Sequence, residues 1–147
     1  MSPATLTNDS NIARRIAKAV SAFELRTEGH VPESVTVISS GRTLVISMEG
    51  ALSSIEQSLV QSASGAAHVQ EFYQQMFTKP PIPLWEEIKE ITGAEAIRNP
   101  DESDRGANTS VKVFADGTVV HVFLLSQPVE TSAWNEKGSA REVAETT

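Results

Sequence analysis

Two adjacent residues, Asp116 and Gly117, constrain this chain more than any others. They lie between Ser110–Phe114 and Thr118–Leu125, two runs rich in β-branched residues. Asp-Gly accepts the positive backbone angles of a tight hairpin turn, so an antiparallel pair is predicted here. The second run, Val119-Val-His-Val-Phe-Leu-Leu125, is apolar on both faces. Such a strand belongs in the middle of a sheet. The fold must therefore supply further strands beside it and a layer of helices over it.

The rest of the chain offers both. Ile12, Ile16, Ala19, Val20 and Phe23 recur at helical spacing, with Arg14, Arg15, Lys18 and Ser21 on the other side. They predict an amphipathic helix over about 10–27, with cap candidates in Thr7–Ser10 and stops at Gly29 and Pro32. Ser34–Ile38 and Thr43–Glu49 alternate around Ser39-Ser-Gly-Arg42, which reads as a hairpin. Val35, Val37, Leu44, Ile46 and Met48 would face a core, and Thr36, Val45, Ser47 and Glu49 solvent. Ser53-Ser-Ile-Glu56 matches a capping box, and the apolar residues after it predict one helix to about Phe77. Gly65 within it marks a kink or a close helix contact. Lys79-Pro-Pro-Ile-Pro83 ends that helix. Leu84, Ile88 and Ile91 predict a short one from Pro83 to Thr92, closed by Gly93. Ala94–Arg98 is a weak strand candidate, and 99–108 reads as a polar loop. The expected fold is α+β, in the order α-ββ-αα-β-ββ. It has a mainly antiparallel sheet of four to five strands with helices on one face. Residues 1–125 form the single domain. Residues 126–147 read as a polar C-terminal tail, with a short helix near Ser139–Glu145. Trp134 is then either an incidental exposed aromatic or an anchor onto this surface or a partner's.

Composition narrows the function. The 147 residues carry 19 Asp+Glu against 12 Lys+Arg, a net charge of −7 that repels phosphate backbones. Arg14, Arg15 and Lys18 read as a solvated helix face, so no nucleic-acid partner is expected. The chain has no cysteine, which excludes disulfides, thiolate metal sites and cysteine nucleophiles and fits a cytoplasmic location. Met1–Ser10 is polar, no apolar run approaches membrane-spanning length, and no direct membrane insertion is expected.

Catalytic patterns do not assemble. His30, His68 and His121 come from three separate elements, and Phe72 stands four residues after His68. Isolated histidines are mostly satisfied singly, so no metal is expected. In Asp101-Glu-Ser-Asp-Arg105-Gly106, a calcium-loop alignment puts Arg105 and Lys112 at ligand positions, the wrong charge. No glycine-rich phosphate loop or nucleophile elbow occurs. Glu86, Glu87 and Glu90 read as a solvated face. No cofactor and no enzyme activity are expected. A pocket between sheet and helices, lined by Phe72, Tyr73, Phe77, Trp85, Phe114, His121 and Phe123, is the alternative: a small-molecule-binding domain.

Three segments carry a family resemblance. Gly29-His-Val-Pro32-Glu-Ser-Val35-Thr-Val37 resembles a G-x-G-P-x-x-V-x-V opening, although His30-Val31 replaces a glycine before the proline. Gly50-Ala-Leu52-Ser53-Ser-Ile-Glu56-Gln-Ser-Leu59 resembles G-x-L-T-x-x-E-x-x-L. Ile88-Lys-Glu-Ile91-Thr-Gly93 is similar to I-E-x-x-T-G. In this order, over about 12–125, they resemble the MpsC-like family, a bacterial domain of unknown function. The resemblance implies association with a sodium-translocating, membrane-potential-generating or inorganic-carbon-uptake system. It brings no catalytic residues. The expectation is a small, soluble, non-enzymatic accessory or regulatory protein that contacts a protein partner such as a membrane transporter component. A homodimer that covers the sheet edges fits the same reading.

Overall fold

A computed structural model describes residues 11–78, 83–97 and 110–137, with the side chains of 75–78 and of Pro83 excepted. Helix α1 spans Ile12–Glu28. Its N-cap is Asn11, just past the predicted Thr7–Ser10, whose side chain accepts from the Arg14 N–H at 2.9 Å. Gly29 closes it at φ 85°, donating its N–H to the Leu25 carbonyl. Strand β1 follows at Ser34–Glu49, helix α2 at Ser54–Leu59 and helix α3 at Ala63–Thr78. Helix α4 spans Pro83–Thr92, strand β2 Ser110–Val113 and strand β3 Val119–Lys137.

These elements make an α+β fold, with four helices and one antiparallel sheet among the described residues. The sheet order is β1-β3-β2, so the doubly apolar β3 does lie in the middle. The hairpin at Asp116-Gly117 joins β2 to β3 as predicted; of the two, Gly117 alone takes a positive angle, at φ 91°, while Asp116 does not. Among the described residues the sheet has three strands instead of the four to five expected. One reason is β1. The predicted hairpin of Ser34–Ile38 with Thr43–Glu49 is a single 16-residue strand. Both halves pair with β3, from Ser34↔Lys137 to Met48↔Val119. Ser39–Arg42 holds the irregularity between them, with register shifts on both sides of Gly41, at φ 58°. The Ser39 hydroxyl donates to the Glu130 carbonyl, and Arg42 Nε donates to the Leu125 carbonyl. Turn-forming residues thus serve a bulge, because a longer partner strand lies alongside. Pro128, which cannot donate a ladder bond, lies in the unpaired stretch of β3 opposite that bulge.

The partner strand overturns a second expectation. Residues 126–137, read as the start of a tail, are β3 itself. Residues 138–147, with the Ser139–Glu145 helix candidate, lie outside the described residues, as do the 99–108 loop and most of the proline run. Ala94–Ile97 contributes only an isolated bridge, Ala96↔Leu125, held by Ile97 N–H to the Leu124 carbonyl and Ser126 N–H to the Glu95 carbonyl.

The helix predicted from Ser53 to Phe77 is two helices. The capping box forms as predicted: Ser53 Oγ accepts from Glu56 N–H, and Glu56 Oε1 accepts from Ser53 N–H. The chain then turns at Val60–Ser62 and restarts as α3. Gly65 permits this, since a Cβ there would run into the Leu59 carbonyl oxygen. Helix α1 packs on β1 and β3, α4 on α1, and α3 on β2. The core joins Ile16, Val20 and Phe23 to Val35, Val37, Leu44, Ile46 and Met48, with Tyr73, Leu84, Ile88 and Phe123 completing it. Each such side chain contributes about 1.5–3 kcal/mol by leaving water.

Candidate functional site

The inward residues of β3 are Val119, His121, Phe123 and Leu125, all buried. From there an aromatic row runs under the helices. Tyr73 of α3 meets His121 edge-on at 6.1 Å, His121 stacks near Phe123 at 6.4 Å, and Phe123 stacks on Trp85 of α4 at 5.4 Å. Phe72 touches Tyr73 edge-on at 5.6 Å but is half exposed. So the structure brings Tyr73, Trp85, His121 and Phe123 together, with Phe72 at the margin. Phe114 stands exposed past the end of β2. The side chain of Phe77 lies outside the described residues.

Polar groups buried beside this row are its unusual feature. Glu24 is 1% exposed, and both its carboxylate oxygens lack a hydrogen-bond partner among the described residues. The Tyr73 hydroxyl, also buried, lacks one too. Burial, helped by Glu28 and Glu56, pushes the Glu24 carboxyl up to about 8. Burial and then the field of Glu24 raise the Tyr73 hydroxyl far above its ordinary value. Glu28 is raised by burial and by Glu56, with His30 opposing. Burial drives His121 down to about 3, so its ring is neutral at ordinary pH. A neutral carboxyl, a phenol and a neutral imidazole therefore share the space under α1 and α3. Glu24 lay outside the sequence-derived set, although Ile16, Val20 and Glu24 are spaced by four on the buried side of α1.

The other histidines stand apart. His30 Nε2 lies 3.0 Å from the Ala51 carbonyl, tying the loop after α1 to the end of β1. His68 is exposed on α3, in a shallow depression with Ser64, Ala67, Glu71 and Phe72. Among the described residues no three His, Asp or Glu are grouped to hold a metal ion. Glu86, Glu87 and Glu90 line an open surface depression on α4 with Lys89. Trp134 is anchored on its own protein. Its ring lies under Arg14 at 5.4 Å, and its Nε1–H donates to Glu136, which pairs with Lys18 at 3.0 Å. No helix among the described residues is long and apolar enough to cross a membrane.

No curated protein and no solved structure matches this chain. A family described as "Na+-translocating membrane potential-generating system (MpsC)" does match, over residues 8–127. That range takes in the α1 cap, the capping box of α2, the buried Glu24, Tyr73 and His121, and the hairpin at Asp116-Gly117. With most of the chain covered, the protein belongs to the MpsC family.

Proposed function

We propose that the protein is a small, non-enzymatic accessory or regulatory component of a membrane ion- or inorganic-carbon-transport system, working on the cytoplasmic side through protein contacts. The observation that carries this reading is the family match over residues 8–127, whose description names a membrane-potential-generating system. The polar groups drawn into the interior support it chemically. Glu24, Tyr73 and His121 are shielded from solvent on α1, α3 and β3, which suits a structural role better than turnover of a substrate. The test is affinity capture of the tagged full chain from detergent-solubilised membranes, read by mass spectrometry. Recovery of a membrane transporter subunit is expected. Repeated recovery of soluble proteins alone would sink the transporter assignment.

A second reading, a small-molecule-binding domain, is favoured by one observation: the oxygens of Glu24 and Tyr73 beside the aromatic row have no hydrogen-bond partner among the described residues. A compact ligand bearing N–H or O–H donors would satisfy them. A thermal-shift screen of small amines and alcohols tests it. Stabilisation that disappears in Tyr73→Phe supports the pocket; no stabilisation by any compound removes it.

A further inference from the structure

The outer face of the sheet departs from the usual pattern of an antiparallel sheet with one wet side. Such a face is normally polar. Here the central strand presents Val120, Val122 and Leu124 outward, with Val122 40% and Leu124 46% exposed. The register sets their neighbours. Ser47, Val120 and Lys112 make one row across the sheet, and Val45, Val122 and Ser110 the next. Thr43 and Leu124 follow, with Ile97 beside Leu124 through the backbone bond. Farther along, Ile38 is 47% exposed opposite Ala133. The helices lie on the other side, so among the described residues nothing covers this face.

We propose that a second copy of this chain covers it, the two sheets packing face to face about a two-fold axis parallel to β3. The placement of charge is the argument. Exposed Glu86, Glu87 and Glu90 lie on α4, on the helical side. Face-to-face packing therefore holds the acidic surfaces of two chains, each of net charge −7, far apart. The outer face itself carries Glu49 toward the β1 edge and Lys112 on the β2 edge. A two-fold axis along the central strand lays the β1 edge of one copy over the β2 edge of the other. Glu49 of each copy then approaches Lys112 of its mate, twice over, while Val120, Val122 and Leu124 meet across the axis. A face-to-face pair of twisted sheets packs with strands about 30° apart, which long Glu and Lys side chains can span. At ordinary strand rise and spacing, the paired length of β1 and β3 offers roughly 500 Å² in projection. Corrugation by side chains raises that toward the ~800 Å² per partner of a standard interface.

Sedimentation equilibrium of the full chain tests the proposal, against a monomer mass of 15.8 kDa. A dimer is expected. Val122→Asp sits on an exposed position, so the fold should survive, with circular dichroism as the check, and the dimer should be lost. Lys112→Glu alone and Glu49→Lys alone should each weaken association about tenfold or more, and the two together should restore it. A wild-type monomer at millimolar concentration overturns the proposal, as does a dimer indifferent to Val122→Asp. A double variant no tighter than either single one overturns the two-fold geometry. Binding of the monomeric chain to lipid vesicles through this face would assign it to another occupant.

Discussion

At the scale of single residues, two buried titratable groups set the response to pH. The Glu24 carboxyl moves from an ordinary 4.5 to about 8 in the folded chain. Its folded pKa is raised, so its contribution is intact below about pH 4.5 and is lost as pH rises toward 8. His121 moves the other way, from 6.5 to about 3. Its contribution is intact above 6.5 and is lost as pH falls toward 3. Between 4.5 and 6.5 the two slopes oppose each other. Stability should be flattest there, falling on the alkaline side through Glu24 and on the acid side through His121. Urea unfolding from pH 4 to 9 checks this. Glu24→Gln, an uncharged near-isostere, should remove the alkaline fall and gain a few kcal/mol at pH 9, at about 1.4 kcal/mol per pK unit. A variant whose profile parallels the wild type would show that the carboxyl ionises freely. The apolar spacing of α1 was legible in the sequence, but Glu24, four residues after Val20 on the same side, was not singled out by it. The missing partner was not legible either, because hydrogen bonding to a helix residue depends on what the next layer brings.

At the scale of elements, local rules worked where the signal and its satisfaction lie within a few residues. The capping box at Ser53 and Glu56, the Gly29 and Gly93 closures and the Asp116-Gly117 turn all form from their own chemistry. Ser53→Ala should cost about 1 kcal/mol, read by thermal or urea unfolding. Gly65 reverses the usual expectation for a helix. Helix propensity favours Ala over Gly by about 1 kcal/mol. Here an added methyl meets the Leu59 backbone, so Gly65→Ala should destabilise by about 1–3 kcal/mol. A stabilised Gly65→Ala variant would show that the α2–α3 turn yields at no cost. The missed element is β1. Ser39-Ser-Gly-Arg42 has turn chemistry, and two alternating runs around such a segment read naturally as a hairpin. The same residues absorb a bulge when a partner of matching length lies alongside, and that partner begins some seventy residues later.

At the scale of the whole molecule, the end of β3 closes the fold over α1. Ser132 Oγ accepts from Ala13 N–H and donates to Asn11, Glu136 pairs with Lys18, and Trp134 lies under Arg14. A chain ending at Gln127 loses the partner of Ser34–Ser39 and the cover of α1. Its melting temperature should fall by several degrees or more, and the backbone amides of 34–39 should exchange rapidly with deuterated solvent. Unchanged exchange would mean that this half of β1 holds without β3. Spacing within the chain specified the periodic and punctuated parts: the amphipathic α1 and α4, the capping box at Ser53 and Glu56, the Gly29 and Gly93 closures, the doubly apolar central strand and its turn. These depend on contacts a few residues apart, which spacing records. Long-range pairing settled that β1 is one strand, that residues 126–137 continue the sheet, that Trp134 and Glu136 hold α1, and that Glu24 is buried with no hydrogen-bond partner among the described residues. Those outcomes depend on pairing between segments far apart in the chain. A polar, Ser/Thr/Glu-rich run has the same composition whether it stays in water or satisfies its backbone against another strand.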